Sequence, residues 1–128
     1  MTVAEQVVEL ATQLDTLSGL RRVYTYPPES MSAFPCAVVY AQSGGMGTRV
    51  RDAWCDDATN VLIVEVHQSR QVLAKAVEAS YPWIDAVYEL VKTSAGLHVL
   101  SPVRWLAGAL QWNDEVHYGI KFEITVRG

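Results

Sequence analysis

Long hydrophobic runs are missing from this chain of 128 residues. No apolar stretch approaches the ~20 residues that a bilayer-spanning helix needs, so no membrane span is expected. The first residues hold neither a basic nor an apolar segment, and a signal peptide is not expected either. Cysteine is scarce. Cys36 and Cys55 are the only two, and in a domain this rich in apolar residues they read as buried thiols rather than a disulfide staple. Positive charge is also in short supply: 10 Lys and Arg against 14 Asp and Glu leave a net charge of −4. That balance argues against a sequence-independent nucleic-acid binder, which needs clustered cations for phosphate contacts. Charged residues at 19% and hydrophobic residues at 50% are globular proportions. The length suits one domain over residues 1–128.

What the chain does have is a strong alternating run, Val116–Val126. Val116, Tyr118, Ile120, Phe122, Ile124 and Val126 fall at every second position, separated by His117, Gly119, Lys121, Glu123 and Thr125. Alternation puts one face of a strand into a core and leaves the other for water or a partner. Upstream, Thr2 and Glu5 have the spacing of a capping box, followed by Val3, Val7, Leu10, Ala11, Leu14 and Leu17 at helical spacing, with Gly19 as the expected C-terminal cap. A short strand over Arg21–Tyr26 ends at Pro27-Pro28. The apolar run Cys36–Ala41 and the stretch Thr59–His67 suit interior strands. A second helical stripe comprises Leu73, Val77, Tyr81, Ile84, Val87, Tyr88 and Val91. Pro82 predicts a kink or two abutting helices there, with Ser80 capping the second piece. Strands from about Pro102 and over the final run complete the order helix, three strands, helix, two strands.

Two helices with single apolar stripes need a sheet to cover them. The expected fold class is therefore α+β: an α-β-β-β-α-β-β chain folding into a mostly antiparallel sheet, with both helices on one face and a long arm between strands 2 and 3. Trp83 falls off the helical stripe, and Trp54 and Trp112 lie in expected loops. Each reads as a flap over the core or an anchor at a partner surface.

Catalytic residue sets are thin. His67, His98 and His117 form no metal-spaced set, and His67 and His117 read as surface or edge residues. Cys36 and Cys55 lack the paired spacing of a zinc site. Gly44-Gly45-Met46-Gly47 has no Gly-Lys-Ser/Thr ending and opens no helix, so it is not a phosphate loop. Asp56-Asp57 and Asp114-Glu115 read as solvated acidic turns. No catalytic residue, metal ligand or cofactor is assigned, and enzymatic activity is not expected.

The more telling stretch is Gln42–Ala58. It is longer than an ordinary hairpin loop and carries Met46, Arg49, Arg51, Trp54, Asp56 and Asp57. It reads either as a surface hairpin or as an arm ordering against another copy of the chain, with Arg49 and Arg51 meeting carboxylates and Trp54 docking in a pocket. A basic arm on an acidic chain suits head-to-tail contacts, which close into rings. The face bearing Lys121, Glu123 and Arg127 is a second interface candidate, or an ordinary solvated face.

In size and element order the chain resembles the tail terminator, or tail completion, proteins of long-tailed bacteriophages. The resemblance runs through the opening helix Thr2–Leu17, the Pro27-Pro28 stop, the proline-led strand Pro35-Cys36-Ala37-Val38-Val39, and the long arm leading into Asn60–His67. It continues through Leu73–Val91 and the ending Trp112, Tyr118-Gly119, Ile124-Thr125-Val126. It implies a virion structural protein without catalytic residues, at the head-proximal end of the tail and assembled in the host cytoplasm. Such proteins form a ring, usually hexameric, that caps the tail tube, stops its polymerisation and meets the head–neck connector. The implied partners are further copies of the chain, the tail tube protein and the connector protein, with DNA passing through the lumen unread. Other readings are a different head–tail joining or neck protein, and a small ligand-binding α+β domain.

Overall fold

A computed structural model of the chain describes residues 1–28, 31, 33–55, 58–69, 73–112 and 115–128. Its elements are α1 (Val3–Leu14), β1 (Arg22–Tyr24), β2 (Cys36–Gly45), β3 (Thr48–Val50), β4 (Ala53–Cys55), β5 (Thr59–Ser69), α2 (Leu73–Lys92), β6 (His98–Trp112) and β7 (Glu115–Arg127). The alternating run of the sequence is β7, a central strand. The main sheet has the order β1-β2-β5-β7-β6, parallel between β1 and β2 and antiparallel elsewhere.

Alternate residues of the three central strands form one apolar face: Ala37 and Val39; Leu62, Val64 and Val66; Ile120, Phe122, Ile124 and Val126. Both helices pack into that cluster, α1 through Val7, Leu10, Ala11 and Leu14 and α2 through Trp83, Val87 and Val91. Burial of each large side chain there is worth roughly 1.5–3 kcal/mol before entropy is subtracted. The fold is the α+β arrangement that the periodicities predict, a mostly antiparallel sheet with both helices on one face.

The helices differ from expectation in detail. At the start of α1 the Glu5 amide donates to Thr2 Oγ1 at 3.2 Å, as a capping box requires. The return contact is different: the Thr2 hydroxyl donates to Glu5 Oε1 at 3.0 Å. The helix stops at Leu14 rather than Leu17, because Thr16 and Leu17 donate to carbonyls three residues back and tighten the chain. Gly19, at φ 100°, carries the turn beneath Trp83. Two buried amides fasten α1 to the sheet: Asn60 Nδ2 donates to Gln6 Oε1 at 2.9 Å, and Gln6 Nε2 donates to the Arg127 carbonyl.

α2 runs from Leu73 to Lys92 through Pro82 as one helix. Ser80 does not cap a second piece. It is buried, and its hydroxyl donates to the Ala76 carbonyl at 2.7 Å. The buried face is Ala76, Ser80, Trp83, Val87 and Val91, so the stripe is rotated from the predicted one. Tyr81 and Tyr88, expected inside, are half exposed, while Trp83 is only 8% exposed. A tyrosine at the rim keeps its hydroxyl in water, whereas an indole gains most when its large surface is covered.

Gly119 tolerates no side chain. A Cβ on Gly119 would collide with the Val66 carbonyl oxygen, beside the irregular step where His67 pairs with Gly119 but Ser69 pairs with Tyr118. Gly119→Ala is therefore expected to cost about 1–3 kcal/mol in urea unfolding. Gly45→Ala, with open space around its Cβ, is expected to stay within about 0.5 kcal/mol. Equal midpoints for the two variants would contradict the close approach.

Candidate functional site

Two features stand outside the core, at opposite ends of the central ladder. The first is the arm. The β2–β5 ladder continues past the core to Gly44↔Asn60 and Gly45↔Thr59, and every residue of β2 beyond Tyr40 is exposed. Beyond Gly45 the chain enters a separate two-stranded sheet, β3–β4. The segment that the sequence left without a core pattern is thus a projecting ribbon. Its apolar residues have no core to join: Met46 is 91% exposed, Trp54 66% and Val50 54%.

The pairing Arg49↔Trp54 sets those two side chains side by side on one face of the ribbon. Arg51 opens the two-residue turn at φ 59°, in the left-handed region. The Arg49 Nε donates to the Arg51 carbonyl at 3.1 Å, and its guanidinium lies 3.7 Å from Asp52. An ion pair this exposed holds the side chain only weakly. Asp56 and Asp57 lie outside the described residues. Beside the arm's root, the second candidate face carries Glu123 and Arg127 exposed and Lys121 half-buried, on the side of the sheet away from the helices. Lys121 pairs across the ladder with Glu65, and Glu123 with Arg104, which sets opposite charges opposite one another. β6 closes that side of the sheet as a 15-residue edge strand, with Trp105 and the 71% exposed Leu106 on it.

The second feature was not expected. His67 and His117, read as surface or edge residues, are both fully buried. Their Nδ1 atoms lie 2.9 Å apart, the rings nearly perpendicular. His67 Nε2 is 3.0 Å from Glu65 Oε1, and His117 Nε2 is 3.0 Å from Glu115 Oε2. The Tyr40 hydroxyl donates to Glu65 Oε2 at 2.6 Å. The result is a chain Tyr40–Glu65–His67–His117–Glu115 across three strands. Phe34 packs edge-on against His117, and Met31 lies against Cys36.

Burial pushes the Glu65 carboxyl up, but the hydrogen bonds from His67 and Tyr40 and the charges of His67 and Lys121 more than offset it, so it stays below its ordinary value. Burial raises the Tyr40 phenol, and its bond to Glu65 raises it further. Cys36, which pairs across the ladder with His67, is pushed up to about 11 by burial. Glu65 and Lys121 also border a cavity of about 400 Å³ with Leu106, Gly108, Leu110 and Gln111. The larger groove, about 860 Å³, lies toward the other end of β6, between it and the end of α2, lined by residues such as Tyr88, Leu97 and Val103.

A signal for the histidines was present in the sequence. Glu-Val-His occurs twice, at 65–67 and 115–117. In a strand, positions two apart share a face, so each copy aims a carboxylate and an imidazole the same way. Comparison with protein-family models and with curated proteins finds no match for this chain. Among the described residues no group of three or more His, Cys, Asp or Glu is placed to hold a metal ion, and no helix is long and apolar enough to cross a membrane.

Two outcomes follow from the far face. With the Cys36 thiol at about 11 and fully buried, roughly one folded molecule in a thousand carries a thiolate there at pH 8. Cys36 should therefore react with a disulfide reagent only at the rate of unfolding; a fast native reaction assigned to Cys36 by peptide mapping would contradict its burial. The Glu65 contribution has the opposite pH sense. A carboxyl held low when folded contributes fully above about pH 4.3, the ordinary glutamate value, and loses that contribution as the pH falls below it. Glu65→Gln is expected to flatten the acid limb of the stability curve below that pH. An unchanged limb in urea titrations would remove Glu65 from the account.

Proposed function

We propose that this chain is a virion structural protein of the tail-terminator kind, acting without catalysis by meeting copies of itself. In this reading it forms a ring, six subunits being the expected number, that caps the tail tube, halts its growth and offers a surface to the head–neck connector. The observation that carries the proposal is the projecting β3–β4 ribbon, with Met46, Val50 and Trp54 exposed on it and no core of its own. Exposed apolar residues on an extension are explained by a surface that covers them. A tryptophan beside an arginine is the composition in which binding energy concentrates.

The long open edge of β6 adds support. Among the described residues no further strand of the main sheet lies on its outer side, and an edge strand invites pairing with another chain. A ribbon at one place and an open edge at another are two different surfaces. Contacts between unlike surfaces close into a ring where the rotation permits. The order of elements in the tail terminators supports the same reading, and the far face with Lys121, Glu123 and Arg127 is the further contact surface. In such a ring the arm meets a neighbouring subunit, and the tube and connector proteins bind its two ends. DNA crosses the lumen without sequence recognition, as the chain's acidity suits.

Negative-stain microscopy tests the role. Tails made without this protein should have tubes of uncontrolled length, and adding it back should restore one length; unchanged tube lengths would overturn the assignment. The arm has its own test. Trp54→Ala combined with Met46→Ala should abolish ring formation on tubes while shifting the melting temperature of the isolated chain by less than about 2 °C, since neither side chain lies in the core. Arg49→Glu with Arg51→Glu should weaken the assembly in light scattering and more so at low salt. Assemblies unaffected by either pair would remove the arm from the interface.

A further inference from the structure

We propose that the groove between the end of α1 and the C-terminal half of α2 receives the ribbon of a second copy of this chain, with Trp54 on its floor and Arg49 against Glu89. The inference deepens the ring reading and rests on it, because it names the surface that the arm meets.

The ribbon fixes what its receptor must offer. Arg49 and Trp54 stand opposite each other across β3 and β4, so one face of the ribbon sets a guanidinium beside an indole. Val50 and Ala53 pair on the other face, and Asp52 lies in the turn. The acid pair Asp56-Asp57 follows the ribbon rather than belonging to it. A matching surface therefore holds an apolar floor, a carboxylate at its rim and no cation.

The groove between the helices has that composition. It measures about 490 Å³, with Leu17, Ala86 and Leu90 as its apolar lining and Glu89 as its one charged residue among the described residues. The three apolar residues pack against the main core, which backs the floor. Gln13 bridges the two sides: its Nε2 donates to Glu9 Oε1 and to Ser94 Oγ, both at 2.9 Å. The groove is thus formed before anything occupies it. The larger groove beside β6 suits an arginine less, since Lys92 and His98 line it and no carboxylate does. The cavity at Glu65 is lined by Lys121 as well, and Glu65 already accepts from Tyr40.

The wider charge pattern points the same way. α1 carries Glu5 and Glu9 and no basic residue, while α2 carries Glu78, Asp85 and Glu89 against Lys75 and Lys92. A net acidic helix layer attracts a ribbon face whose charge is positive. Glu89 faces Lys92 at 3.8 Å and Arg49 faces Asp52 at 3.7 Å, but both pairs are exposed. Such pairs hold weakly, and an Arg49–Glu89 pair covered by a seated indole is screened less. The occupant is another copy because none of the groove's lining residues comes from the chain's own ribbon. A ribbon on one copy and a groove on the next leave one of each unfilled at the ends of any open row, until the row closes.

Photo-crosslinking tests the contact, with tail tubes present and absent. Benzoylphenylalanine, an aromatic of comparable bulk, replaces Trp54 in one batch, which is mixed with a nitrogen-15-labelled wild-type batch. Irradiation should attach the ribbon to labelled peptides that hold Leu17 or Leu90. Attachment within the same chain, to the tube protein or to other peptides overturns the proposal, and so does no attachment. Arg49→Glu on the probe copy, or Glu89→Arg on the labelled copy, should each lower the yield about fivefold, the worth of a good exposed ion pair. The two together should restore it to within about twofold of the starting yield; a double exchange that fails to recover overturns the pairing. The contact and the tail role fail separately. Attachment at the groove with tubes still of uncontrolled length upholds the contact and removes the tail role, whereas controlled lengths with attachment elsewhere do the reverse.

Discussion

The antiparallel ladder between β5 and β7 is the constraint on which the rest of the molecule depends. It pairs Thr59 with Arg127 at one end and runs through His67 and Gly119 to Ser69 and Tyr118 at the other. On the side toward the helices it sets Leu62, Val64 and Val66 beside Ile120, Phe122 and Ile124, and this surface is what α1 and α2 cover. A slip of one residue would turn every one of those side chains to the wrong face. The register is therefore held by the apolar core, and everything on the far face inherits it.

That inheritance explains why the far face can be polar. Glu65, His67, His117 and Lys121 occupy positions that the ladder assigns away from the helices. The ladder brings the two Glu-Val-His segments together because His67 stands opposite Gly119, two residues from His117 on the same face. Gly119 contributes no side chain between them. A glycine at that place also allows the backbone of β5 to approach where its register breaks. Close packing on one side and a hydrogen-bonded line of polar side chains on the other are thus consequences of a single pairing.

The other end of the same ladder supports the assembly reading. β2 and β5 run on together beyond the core, and Gly44 accommodates the Asn60 side chain that ties the sheet to α1. A ribbon rooted in two central strands is held at its base while its tip is fully in water. This geometry leaves Trp54 and Arg49 exposed side by side without involving the core. The histidine line and the ribbon lie at opposite ends, so a change in one reaches the other only through the shared strands.

Periodicity alone was enough for the class of fold. The alternation of Val116–Val126, the stripe of α1 and the unbroken apolar runs of β2 and β5 each follow from local geometry, because side-chain direction repeats every two residues in a strand and every 3.6 in a helix. The arm was legible as a segment without a core pattern, though not as an extension of the central ladder, since pairing across 14 or more residues leaves no local trace. The rotation of α2 that buries Trp83 and exposes Tyr81 was hidden because both faces carry large apolar residues, and only packing against the sheet chose between them. The histidines illustrate the division most clearly. Strand geometry alone makes each copy of Glu-Val-His aim acid and imidazole to one side. That the two copies meet could not be read locally, because their meeting depends on a register that the apolar residues of the opposite face impose.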